Sequence, residues 1–191
     1  MKVRNGLLSG LVAGMAFASL TLADEDIWTK TINNDTNGMW NVQPAMPKAK
    51  DVKAPGIPGD MALRVKANKG RNPWDVQASS PVNGGTIKPG DVVMLMIYLR
   101  AEKPAEGGSN LSMRIQLSAA PYTSTMDFST PVSTEWQKYC AHRVASTELP
   151  AGKGNVSIHL ATAEQVIDLG PVFVFNFGPG YDEKKLKGCD G

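Results

Sequence analysis

Residues Gln77, Tyr98, Arg100, Arg114, Gln116 and His159 each occupy the outward position of a stretch in which apolar and polar side chains alternate. Within 91–101, Val93, Leu95, Ile97 and Leu99 share one parity, and Met94, Met96, Tyr98 and Arg100 share the other. Side chains two apart on a strand point the same way, so these two sets face opposite sides of a sheet. Within 111–117, Leu111, Met113, Ile115 and Leu117 take the inner side, leaving Arg114 and Gln116 outside. With Gln77 and His159 they predict one polar face. Amides and guanidinium forks beside an aromatic ring supply the donors, acceptors and flat apolar surface that a neutral polyhydroxylated ligand needs.

Other chemistries find less support. His142 and His159 are the only histidines and do not form an i, i+2 or i, i+4 pair, so a zinc centre lacks its usual ligand spacing. There is no Gly-x-Ser-x-Gly elbow, and neither cysteine sits in a motif that would activate it. Glycoside hydrolysis needs two carboxylates facing each other across the substrate. Asp75, Asp127, Glu135 and Asp168 are available for this, as some carboxylates are in any chain with 18 acidic residues. The 20 basic residues are spread along the chain and leave a net charge of +2, which gives nucleic acid no electrostatic footprint.

The elements that must position these residues are strands. Candidates lie at 27–32, 61–67, 74–82, 91–101, 111–119, 126–132, 137–146, 156–161 and 166–177, separated by breaks rich in Gly, Pro and Asn. Parallel strands need crossovers of a dozen or more residues, so such close spacing predicts an all-β, antiparallel sandwich in a single domain. Residues 41–60 hold Pro44, Pro47, Pro55 and Pro58 and read as ordered coil. In 172–177 both parities are apolar except Asn176, which places that strand inside a two-layer packing or beneath other chain.

The first residues read as an export signal, with Lys2 and Arg4, then an apolar run to Leu22, then Asp24, Glu25 and Asp26. Cleavage after Ala23 or after Ala18 leaves about 170 residues, enough for one core. The expected division is a signal peptide at 1–23 and a sandwich domain at 24–191, with its core at about 27–178, secreted or periplasmic. Export places Cys140 and Cys189 in an oxidising compartment, where an even count favours a disulfide, although sequence separation alone leaves two free thiols open. Such a bridge would contribute roughly 4 kcal/mol in the chain-entropy description.

Several segments in order resemble a known family. They are Asn72-Pro73-Trp74-Asp75-Val76-Gln77, Ile87-Lys88-Pro89-Gly90-Asp91, Tyr98-Leu99-Arg100-Ala101 and Glu135-Trp136-Gln137-Lys138-Tyr139. Ile158-His159-Leu160 and Gln165-Val166-Ile167-Asp168-Leu169-Gly170-Pro171-Val172 complete the set. Together they resemble carbohydrate-binding modules of the family 4/9/22 type, galactose-binding-domain-like jelly rolls often appended to bacterial xylanases and glucanases. The resemblance implies non-catalytic binding of a polysaccharide or oligosaccharide in a concave groove, by aromatic stacking and polar contacts. It implies groove positions for Trp74, His159 and Gln165, a packing role for Trp136, and a structural calcium for which Asp60 and Asp168 are candidates. Trp74 shares parity with Val76 and Ala78, so core and groove both stay open for it; Tyr122, after Pro121, reads as a groove edge or a turn aromatic.

The expected glycan-binding set is therefore Trp74, Gln77, Tyr98, Arg100, Gln116, Tyr122, His159 and Gln165. No cofactor beyond the structural calcium is expected. The sandwich is expected to work alone or beside a separate glycoside hydrolase. An envelope domain binding a protein partner is the alternative, kept open by Met94 and Met96 next to Tyr98, and a glycan-active hydrolase is a further one.

Overall fold

The computed structural model describes residues 27–33, 40–44, 49–186 and 189, so the signal peptide expected at 1–23 lies outside the described residues. Ten strands follow in chain order: β1 (Asn41–Gln43), β2 (Lys50–Lys53), β3 (Met61–Ala67), β4 (Gln77–Val82), β5 (Asp91–Lys103), β6 (Ser109–Leu117), β7 (Ser124–Val132), β8 (Gln137–Val144), β9 (Gly154–His159) and β10 (Gln165–Pro179). They form two five-stranded antiparallel sheets, ordered β2-β3-β10-β5-β8 and β1-β4-β9-β6-β7. The chain is an all-β sandwich. No helix among the described residues is long and apolar enough to cross a membrane.

The inner parities meet between the sheets. Val65, Val93, Leu95, Ile97, Leu99, Ile167, Val172 and Val174 come from the first sheet, and Ala78, Leu111, Met113, Ile115, Val156, Ile158 and Leu160 from the second. Each larger aliphatic side chain buried there stabilises the sandwich by roughly 1.5–3 kcal/mol. The prolines respect the ladders. Pro81 lies in β4 beyond the stretch paired with β1, Pro131 is on the edge strand β7, and Pro171 falls in the register break between Leu169 and Val172. Edge strands and register breaks are where a sheet most readily takes a residue without an N–H.

The outer face of the first sheet is covered, which explains why β10 is apolar on both sides. Residues 27–33 run beside β10 where β3 has ended, and Asn33, fully buried, donates from Nδ2 to Val172 O (2.7 Å) and accepts from Val174 N (2.7 Å). Trp28 meets Phe173 edge-on, with 5.0 Å between ring centroids. The chain after β10 returns over the same face: Leu186 is buried with Met94, Met96, Phe173 and Phe175, and Cys189 is disulfide-bonded to Cys140 on β8. Met94 and Met96 are thus core residues at 1 % and 8 % exposure, and the apolar docking patch they suggested for a protein partner is covered by the chain itself.

Further along this face, Ala54, Ile57 and Ala62 pack with Tyr98 and Trp136. Beyond them lies an ion cluster. Asp168, fully buried, accepts from Arg64 Nε (2.7 Å) and terminal amino group (3.0 Å) and from Arg100 Nε (3.1 Å) and terminal amino group (2.6 Å). Glu102 bridges the same two arginines at 3.0 and 2.8 Å. The Arg100 guanidinium also lies 5.3 Å above the Trp136 ring.

Three segments differ from the sequence expectation. The coil of 41–60 contains β1 and β2, short polar edge strands with too few residues to show a period. At 27–32 a helical turn precedes a single bridge from Thr31 to Phe175, because the side-chain amide of Asn33 takes over part of the pairing. Trp74 belongs to a 3-10 turn, Pro73–Asp75, and β4 starts only at Gln77.

Candidate functional site

The outer face of the second sheet is the open polar surface. Apart from the paired Asn110 and Pro131, its outward residues fall in three rows across the strands. The first runs Gln43, Gln77, His159, Ser112 and Ser129; the second runs Asn41, Ser79, Ser157, Arg114 and Asp127; the third runs Pro81, Asn155, Gln116 and Ser124. Rows two residues apart are separated by about 6.6 Å, so the first and third are about 13 Å apart. The Ser157 hydroxyl donates to Gln77 Oε1 (3.3 Å), which orients that amide. Arg114 donates from Nε to Asp127 Oδ1 at 2.5 Å across the β6–β7 ladder.

At the first-row end, the turn Pro73–Asp75 carries Trp74. Pro73 at the first turn position needs no donor, and Asp75 closes the turn by accepting from the backbone N–H groups of Arg71 (2.8 Å) and Asn72 (3.0 Å) and from Asn72 Nδ2 (3.2 Å). The Asn72 bonds hold the Asp75 carboxyl below its ordinary value. With the turn locked, Trp74 stands 56 % exposed, its ring centroid 6.0 Å from that of His159 in an edge-on arrangement. Burial is the main reason the His159 pKa is lowered; Arg114 lowers it further, and Asp127 opposes less strongly. The imidazole is therefore neutral at pH 7.

At the third-row end, the loop from β6 to β7 holds Tyr122 in a left-handed backbone conformation (φ 55°), with its N–H donating to Ala119 O (2.9 Å) and its side chain half exposed. A cleft of about 710 Å³ runs along β1, β4 and β9, lined by Trp40, Gln43, Gln77, Ser79, Tyr122 and Asn155 among others. Trp40 is fixed there by its Nε1 donating to Gly170 O (3.0 Å).

The structure divides the expected binding set. Gln77, His159 and Gln116 share the second sheet's face, with Trp74 and Tyr122 at its ends; His159 and Gln116 are buried floor residues at 8 % and 3 % exposure. Tyr98 and Arg100 do not join them. They lie on β5 in the opposite sheet, occupied by the Trp136 cluster and by Asp168, so the single face of six residues is really two faces on opposite sides of the molecule. Gln165 is buried at the start of β10, where its Nε2 donates to Leu160 O (2.8 Å) and ties the β9–β10 turn.

The calcium pair does not form either. Both Asp168 oxygens are taken by guanidinium groups, Asp60 accepts from Gly56 N (3.1 Å) at the far end of β3, and the described residues contain no group of three or more His, Cys, Asp or Glu able to hold a metal. Trp40, Asn41, Gln43, Ser79, Asn155 and Ser157 were absent from the expected set. The outward parity of Asn155 and Ser157 beside Val156 and Ile158 was a usable signal, whereas Trp40 carried none.

No protein-family model matches the chain, and no characterised protein matches it in sequence. Solved structures do match in fold. The second N-terminal cellulose-binding domain of Cellulomonas fimi β-1,4-glucanase C superposes with a TM-score of 0.55 at 18 % identity, over 78 % of this chain and 93 % of that one. The N-terminal cellulose-binding domain of the same enzyme gives 0.53 at 17 % identity, over 75 % and 93 %. An arabinose-bound α-L-arabinofuranosidase gives 0.55 at 14 % identity over 77 % of this chain, which spans only 25 % of that enzyme's chain. The chain therefore shares the β-sandwich fold of these cellulose-binding domains.

Proposed function

We propose that this protein is an exported, non-catalytic glycan-binding module that holds a polysaccharide chain on the outer face of the β1-β4-β9-β6-β7 sheet. The observation that carries this reading is a strand face made mostly of amides and hydroxyls, with one guanidinium and one carboxylate, and with exposed aromatic rings at both ends, on a fold shared with cellulose-binding domains. Sugar rings stack on Trp74 and Tyr122 through their apolar C–H faces, and Gln77 and Asn155 take hydroxyl contacts. The roughly 13 Å between the end rows suits a short run of sugars rather than a single ring. A hydrolase would need two carboxylates across the chain, and the outward residues of these five strands include one, Asp127. Cleavage of the signal at 1–23, export of residues 24–191 and cooperation with a separate glycoside hydrolase belong to the same reading.

Affinity electrophoresis across xylan, β-glucan, mannan and peptidoglycan tests it. At least one polymer should retard the protein, and Trp74→Ala and Tyr122→Ala should each weaken retention about tenfold, the effect of losing roughly 1–1.5 kcal/mol of ring contact. Tyr98→Ala, on the opposite sheet, should leave retention unchanged. Retardation by no polysaccharide, acidic ones included, overturns the proposal.

A further inference from the structure

We infer that the ligand is a uronate-bearing polysaccharide whose carboxylate docks on the terminal amino groups of Arg114, an inference that rests on the glycan-binding reading above. Arg114 is the only charged residue among the outward positions of the three central strands, β4, β9 and β6. It lies in the middle row between the Trp74 and Tyr122 ends, with its side chain 29 % exposed. Its Nε bond to Asp127 is its only hydrogen bond among the described residues, so both terminal amino groups remain free to donate. A planar fork with free donors matches a carboxylate in two parallel bonds, which a hydroxyl cannot reproduce.

Asp127 does not cancel this charge. It sits on the edge strand β7 with its side chain 62 % exposed, where solvent screens it, while Arg114 lies further in. At His159, on the neighbouring strand β9, Arg114 acts more strongly than Asp127. A neutral floor of amides and hydroxyls with one inner cation discriminates by charge as well as by shape.

The test compares alginate, polygalacturonate and glucuronoxylan, each beside its carboxyl-reduced form, which keeps backbone and linkage and loses only the charge. At least one acidic chain should bind about tenfold more tightly than its reduced form, with affinity falling as salt is raised. Arg114→Gln should erase that difference. Asp127→Asn removes the competing carboxylate and should tighten binding of the acidic chain, the opposite of what loss of a purely structural ion pair would do. Equal binding of acidic and reduced chains, or binding of neutral polymers only, overturns this inference and leaves the glycan reading standing; binding of neither kind overturns both.

Discussion

Replacing Asp168 with alanine should cost this protein more than any single change on the glycan face. The carboxylate is fully buried and accepts four hydrogen bonds, two from Arg64 and two from Arg100. Removing one partner of a buried ion pair typically costs about 3–5 kcal/mol, because the remaining charge is left uncompensated. Here the arginine side chains are 23 % and 25 % exposed and keep Glu102, so the loss should fall near the low end, about 3 kcal/mol. For a domain of this size that lowers Tm by roughly 6–12 °C. Urea titration with the disulfide intact should show the midpoint fall at unchanged m-value. Asp168→Asn should lose nearly as much, since its amide turns an NH₂ toward a guanidinium. The triple change Arg64→Met, Asp168→Leu, Arg100→Met should recover much of the loss, because packed apolar groups carry no stranded charge. A loss below about 1 kcal/mol for Asp168→Ala would refute the reasoning, since that is the worth of an exposed pair.

The remaining predictions concern the core, the N-terminal segment and pH. Ser80 lies fully buried on the inner side of β4 with no partner for its hydroxyl among the described residues, so Ser80→Ala should stabilise by about 1 kcal/mol in a thermal melt. A Cβ at Gly84 would come within 2.6 Å of the Ile32 carbonyl oxygen, which Gly84 N also bonds; Gly84→Ala should cost about 1–3 kcal/mol and speed proteolysis within 27–33. Because the folded-state pKa of His159 is lowered, the unfolded chain takes up its proton first as pH falls. Stability should therefore drop below about pH 6.5 until the folded-state value is passed, and His159→Gln should flatten that part of the profile. Parallel wild-type and His159→Gln curves through this range would show that the imidazole contributes nothing to the decline.

What could be read early was whatever one strand decides by itself. Val93, Leu95, Ile97 and Leu99 reach the core because period two is a property of the extended backbone, and the both-faced apolar run in β10 correctly demanded cover on its outer side. Trp74 escaped this logic because Asn72, Pro73 and Asp75 build a turn there, and parity has no meaning outside a strand.

Alternation separates inside from outside, yet a sandwich has two outsides. Tyr98 and Gln77 have the same outward parity and end on opposite sheets, since sheet membership depends on which distant strands pair: β5 with β10 and β8, β4 with β1 and β9. The sequence by itself determined the antiparallel β core and the residues excluded from it. Only the tertiary structure decided which polar residues share the open face, because that face is assembled by hydrogen bonds between strands far apart in the chain, and the other face is covered by residues 27–33 and by the segment after β10.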